Sequence, residues 1–154
     1  MKKVNFTPIL ILLAFVITAF IFSNSARDAL ASDDQSSAWI RILQYFFDRD
    51  RSIGDHVWRK IAHFVEFFVL GFCLGWLTVS MHRNSGRYHL MLPMFICLSA
   101  AVIDETIQYF SLGRSPEVKD ILIDFSGSVT AMAAVVIIVS AVAFIKKKKT
   151  AKNN

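Results

Sequence analysis

The chain of 154 residues is 55% hydrophobic and 19% charged, with a formal net charge of +5 and a mean hydropathy of +0.48. It is too apolar for an ordinary soluble domain and too short for more than one domain, so we predict one all-α integral membrane domain over residues 1–154. The positive charge could indicate a nucleic-acid partner, but Lys2, Lys3 and the block 146–149 flank apolar runs, as charges beside membrane spans do. With no zinc-knuckle, P-loop or dinucleotide motif present, the predicted partner is the lipid bilayer, with no nucleic acid and no cofactor.

The first apolar run covers residues 4–22. At a rise of about 1.5 Å per residue it is long enough to cross a hydrocarbon layer of about 30 Å. A signal peptide is the alternative, since Ala29, Leu30 and Ala31 form an A-x-A cleavage signature. The run is longer than the apolar core of most signal peptides, so we favour a retained first span.

Residues 23–59 form the one substantial hydrophilic loop. Within it, apolar residues recur on one helical face, and Ser32 with Gln35 can form a capping box just upstream. The pattern predicts an amphipathic helix that lies on the membrane surface or covers the bundle. An irregular loop whose aromatic side chains touch lipid is the alternative. The residues of the apolar face are Trp39, Ile40, Leu43, Phe46 and Phe47.

Three further apolar runs predict spans at about 61–80, 89–109 and 120–145, which complete a four-helix transmembrane bundle. The second span opens with Lys60, His63 and Glu66 at three-residue steps, so on a helix they share one side. A charge near the middle of a bilayer costs about 3 kcal/mol on insertion scales, so such groups normally face a bundle interior or a wet cavity. These residues therefore mark a candidate site.

Loop charge predicts the orientation of the four spans. The basic residues at both termini, with Arg83 and Arg87, lie on one side of a four-span protein, so both termini are predicted to be cytoplasmic in a bacterial plasma membrane. The polar residues of the later spans then lie about 5 to 10 Å below the outer surface. We predict one outward-opening polar pocket there. Its residues are Lys60, His63, Glu66, Asp104, Glu105, Gln108, Arg114, Asp120 and Asp124.

Several short motifs together resemble the VanZ-like family. K-x-A-H-F-x-E-F begins at Lys60, D-E-x-x-Q at Asp104, G-R at Gly113 and D-x-x-x-D-x-x-G at Asp120, while F-S-N-S closes the first span at Ser25. The motifs occur in family order and cover nearly the whole chain. The resemblance implies a small multi-span protein of the bacterial cell envelope, related to an accessory factor for low-level resistance to the glycopeptide teicoplanin. It implies no particular mechanism.

The predicted pocket contains five acids but only Lys60, His63 and Arg114 as basic partners. A purely structural polar network that fixes helix register is one interpretation. The excess of acids otherwise predicts held protons, a bound cation, or a cationic or hydroxyl-rich ligand. In our first functional hypothesis the pocket binds a lipid head group, a lipid-linked glycan precursor or a partner protein. Lys60 and Arg114 would hold phosphate or carboxylate, and the acids would hold sugar hydroxyls.

Two other functions stay open at the level of sequence. A membrane-embedded hydrolase or transferase could use the same acids and histidine, although no nucleophile motif identifies a catalytic residue. A proton-coupled transporter is the third hypothesis, but the inner halves of the spans are apolar and show no path through the membrane. No metal is predicted; if one were bound, the ligands would be His63, Glu66, Asp104 and Asp124. The oligomeric state is not predicted.

Overall fold

A computed structural model describes residues 6–30, 38–48, 53–86, 89–110 and 117–153 of the chain. Within these ranges the protein consists of five α-helices without any strand, which confirms the all-α prediction. The capping residues Ser32 and Gln35 lie outside the described ranges. The helices are α1 (Thr7–Leu30), α2 (Ala38–Phe47), α3 (Asp55–Ser85), α4 (Met91–Tyr109) and α5 (Val118–Asn153).

Four of these helices are long and apolar enough to cross a membrane, as predicted. Their apolar stretches are Thr7–Ala26, His56–His82, Met91–Tyr109 and Val118–Ala151. Two helices extend past the predicted boundaries on the same side of the bundle, since α1 continues to Leu30 and α3 already begins at Asp55. The protein is therefore a multi-pass membrane protein in which much of the predicted outer loop is helical.

Helices α3 and α5 approach each other so closely that their backbones touch. A Cβ atom added to Gly71 would overlap the backbone of Ser128, and one added to Gly127 would lie 2.5 Å from the carbonyl oxygen of Phe64. The hydroxyl of Ser128 donates a hydrogen bond to the carbonyl of Phe67 at 3.0 Å. Small residues allow this approach, as in other membrane helix pairs, and they fix the rotation of α5 against α3.

The apolar core lies between α1, α3, α4 and α5. Ile21, Phe67, Leu70 and Cys97 are among its fully buried members. Cys73 is also buried, and both cysteines are free thiols in this described part of the chain. Large apolar side chains cover the outer faces of the bundle, which suits helices surrounded by lipid. These include Phe15, Phe95, Ile137 and Phe144.

Helix α2 forms where the periodicity predicts a helix, and it exposes Tyr45, Phe46 and Phe47. It is joined to α3 through Asp48, whose Oδ2 accepts hydrogen bonds from the indole of Trp58 at 2.9 Å and from the backbone N–H of Ile53 at 3.0 Å. Because a buried carboxylate needs such donors, this contact ties the end of α2 to the beginning of α3. That α2 lies on the membrane surface remains a prediction.

Candidate functional site

Polar side chains from all four long helices meet at one end of the bundle. At that end α1 and α4 finish while α3 and α5 begin, so residues far apart in the sequence come together. Ser25, Glu66, Asp104 and Asp124 represent the four helices, and each is at most 8% exposed. Burial of this many polar groups is costly unless they satisfy one another or a ligand, so their contacts decide how the site works.

Asp104 lies at the centre of this buried group and is fully buried. Its Oδ1 accepts a hydrogen bond of 2.6 Å from the hydroxyl of Ser25 on α1. Its Oδ2 accepts one of 2.8 Å from the amide of Gln108, one turn further along α4. Hydrogen bonds to a carboxylate are stronger than neutral ones, so these two donors fix the Asp104 side chain in a single orientation.

The His63 ring lies between carboxylates of two helices. Its Nδ1 is 3.6 Å from Oδ2 of Asp104 and 4.0 Å from Oε2 of Glu66, and its Nε2 is 3.4 Å from the amide nitrogen of Gln108. Glu66 is in turn held by Asn24 of α1, whose amide donates to Oε1 at 2.8 Å. A protonated His63 would therefore point an N–H at two acids, and a neutral one would do so in the tautomer that carries its proton on Nδ1.

Asp124 on α5 completes the buried group from the opposite side. It is 2% exposed, and its Oδ1 accepts no hydrogen bond from any residue that the structure describes. His63, Asp104 and Asp124 each offer one donor atom, and the three atoms lie within 4.8 Å of one another. We call these three residues, together with Glu66 and Gln108, the buried cluster.

A second set of charges, the rim, lies where α5 begins. Nζ of Lys60 is 2.5 Å from Oδ1 of Asp120 and 3.5 Å from Oε2 of Glu117, and all three side chains are at least 25% exposed. Glu105 is buried and connects the end of α4 to the same place, because its Oε1 accepts a hydrogen bond of 2.8 Å from the backbone N–H of Glu117. Lys60 is thus paired at the rim and does not neutralise the buried cluster.

The predicted pocket residues therefore separate into two groups. The buried acids lie beneath the rim, and that the pocket opens outward remains a prediction. Arg114, with Gly113 of the same motif, lies outside the described residues. The structure places His63, Glu66, Asp104, Gln108 and Asp124 in the buried cluster, and Lys60 and Asp120 in the rim, where Glu105 accepts a hydrogen bond from Glu117.

Sequence reasoning did not assign Asn24, Ser25 and Glu117 to the site. The first two follow directly after an apolar run, where the first span was predicted to have ended, yet α1 continues through them. A short run of small polar residues at the end of a span is itself a signal, because such residues often make contacts between membrane helices. Glu117 lies three residues before Asp120, a spacing that places both beside the same neighbour.

Comparison with known proteins gives one match. The family model described as VanZ/LLP1 matches residues 9–140, which include every residue of the buried cluster and the rim. Searches of curated proteins and of solved structures found no match.

Proposed function

The chain belongs to the VanZ/LLP1 family, as its motifs predict, and from that membership we propose that it is an accessory protein of the bacterial plasma membrane that binds an envelope head group. The ligand is the head group of an envelope lipid or of a lipid-linked glycan at the outer leaflet. The proposal depends on one observation: polar side chains from four spanning helices meet at one end of the bundle. Ionisable groups inside spans are rare and usually mark binding sites.

Charge distribution supports an outward-facing site. The exposed lysines 146–149 lie on the part of α5 far from Asp124. The positive-inside rule assigns such a lysine block to the cytoplasm, which would leave the buried cluster and the rim near the outer leaflet. Both termini are then cytoplasmic, and the site faces the side on which lipid-linked cell-wall precursors are used.

The rim is suited to capture an anionic group. Lys60 is partly exposed and its partners Asp120 and Glu117 are exposed further, so its ion pairs contribute little, at most about 1 kcal/mol. A phosphate or carboxylate of a head group can replace these acids at small cost. Arg114, three residues before Glu117 in the sequence, would supply a second cation in this proposal, and the acids beneath would accept hydrogen bonds from sugar hydroxyls.

The proposal is tested by deleting the gene and complementing it with variants. Lys60→Gln removes the rim cation, Asp104→Asn changes the centre of the buried cluster, and Ser126→Ala is the matched control, because Ser126 is exposed and bonds only within its own helix. We expect the deletion to change teicoplanin susceptibility, and we expect the wild type and Ser126→Ala, but neither site variant, to restore it.

A direct binding measurement complements the genetics. The purified protein in nanodiscs is titrated with phosphatidylglycerol and, separately, with a polyprenyl-diphosphate-linked cell-wall precursor. We expect at least one of the two to bind, and Lys60→Gln to weaken that binding about tenfold, as loss of a charged contact does. Unchanged susceptibility and envelope lipids after deletion, together with no binding of either lipid, would contradict the proposal.

A further inference from the structure

From the geometry of the buried cluster we infer that His63, Asp104 and Asp124 bind one divalent transition-metal ion of the zinc or manganese type. The three residues come from α3, α4 and α5, and their donor atoms already lie within 4.8 Å of one another. Ligands of a tetrahedral ion, each about 2.1 Å from it, are about 3.4 Å apart. The three donor atoms would have to approach one another by no more than about 1.4 Å to reach that separation.

Asp124 supplies the independent observation. Its Oδ1 is buried and accepts no hydrogen bond within the described part of the chain, whereas both oxygens of Asp104 have donors. A buried polar atom without a partner costs about 1 to 3 kcal/mol, and more when it is charged. Because a carboxylate oxygen of Asp124 also lies within 4.8 Å of donor atoms of His63 and Asp104, a cation bound among the three residues would satisfy the Asp124 carboxylate.

The surrounding residues favour a divalent ion. Glu66 lies near the His63 ring and Glu105 is buried at the same end of α4, so the region is strongly acidic. Three neutral side chains, Ser25, Asn24 and Gln108, donate hydrogen bonds to Asp104 or Glu66. A single ion of charge +2 compensates two carboxylates at once.

The hydrogen bonds to Asp104 resemble those that orient a carboxylate bound to a metal. Carboxylates that bind metals are usually oriented by further hydrogen bonds, and here Ser25 and Gln108 provide them. Glu66 is outside the group of three, because its described hydrogen bond ties it to Asn24. The ligand set is therefore one imidazole nitrogen and carboxylate oxygens from two aspartates.

This donor set selects the class of metal. Imidazole suits zinc and iron and the two carboxylates suit manganese, whereas calcium and magnesium prefer oxygen alone; the absence of a thiolate from the set disfavours copper(I). With three protein ligands, the ion retains an open position. This inference deepens the proposed function, because a phosphate of the head group would take the open position on the metal. It rests on the proposed function only in that respect.

The test uses the full-length protein in detergent, stripped with a chelator, loaded with Zn²⁺ or Mn²⁺ and dialysed. Metal is counted by mass spectrometry, and affinity is measured by competition with a coloured chelator. We expect about one ion per wild-type chain and at least tenfold weaker binding in Asp124→Asn and His63→Gln, as loss of one ligand predicts. Ser126→Ala, at an exposed position on the same helix, should bind like the wild type.

A thermal melt separates lost binding from lost folding. Metal that binds only the folded protein raises its melting temperature, so the wild type and Ser126→Ala should shift upward on loading while Asp124→Asn should not. A wild type that retains no more Zn²⁺ or Mn²⁺ than Asp124→Asn overturns the inference, as does equal loss in Ser126→Ala. Titration of the stripped wild type with lipid tests the head-group proposal separately, because that binding can persist when no metal binds.

Discussion

The buried cluster and the rim are both acidic and are only one helical turn apart on α5, yet they balance their charges differently. In the rim, Asp120 and Glu117 share Lys60, and solvent screens all three. In the buried cluster, the described hydrogen bonds to Asp104 and Glu66 come from neutral hydroxyl and amide groups. Neutral donors satisfy the lone pairs of a carboxylate without forming an ion pair, so the described contacts of the buried acids differ in kind from those of the rim.

Loss of the Asp104 side chain should cause the largest change in the free energy of unfolding. Asp104→Ala removes the acceptor of both Ser25 and Gln108 and leaves their donors buried, so we expect the free energy of unfolding to fall by about 3 to 5 kcal/mol. The measurement is reversible unfolding in mixed detergent micelles. Asp120→Ala is the matched control in the rim and should cost less than about 1 kcal/mol. Equal losses in both variants would remove the distinction between the two regions.

The contribution of α1 to the buried cluster gives the second prediction. Ser25→Ala removes a hydrogen bond to a buried carboxylate, and we expect a loss of about 1.5 to 3 kcal/mol in the same unfolding measurement. Ser126→Ala removes a hydroxyl that bonds within α5 at an exposed position, so it should change stability by less than about 0.5 kcal/mol. Unchanged stability in Ser25→Ala would show that α1 does not hold Asp104.

When metal is absent, substitution of Asp124 should raise the stability of the protein, whereas the two preceding substitutions lower it. Asp124→Asn replaces a buried acid beside Asp104 with a neutral amide and breaks no described hydrogen bond to Oδ1, so the metal-free protein should gain about 1 kcal/mol of stability. The same unfolding measurement is repeated with Zn²⁺ present, when the wild type should become the more stable of the two. A loss of stability in the metal-free variant would mean that the Asp124 carboxylate is already compensated by the chain.

The smallest expected energy is that of the ion pair between Lys60 and Asp120 in the rim. A double-mutant cycle with Lys60→Gln and Asp120→Asn should give a coupling energy below about 1 kcal/mol, and added salt should reduce it, because both side chains reach solvent. The cycle is measured by unfolding at low and high salt. A coupling of several kcal/mol that salt does not change would show that Lys60 belongs energetically to the buried cluster.

Much of the fold was predictable because membrane spans are local features. Hydropathy alone indicates four spans, and residue spacing alone places His63 with Glu66 and Asp104 with Gln108 on common helix faces. The end of α1 was not predictable in this way, because Asn24 and Ser25 look like loop residues until Glu66 and Asp104 accept their hydrogen bonds. A polar residue continues a membrane helix when a partner on another helix satisfies it.

The sequence by itself determined the class of protein, its spans, its family motifs and the end of the bundle at which its charges gather, since each depends on composition or short-range spacing. Only the tertiary structure separated Asp120, paired with Lys60, from Asp124, buried against His63 and Asp104. The spacing of the two aspartates places both on one face of α5, but a helical turn of about 5.4 Å decides which of them reaches solvent. That depth is set by the backbone contact of Gly71 and Gly127 with the opposite helix, which is a long-range property of packing.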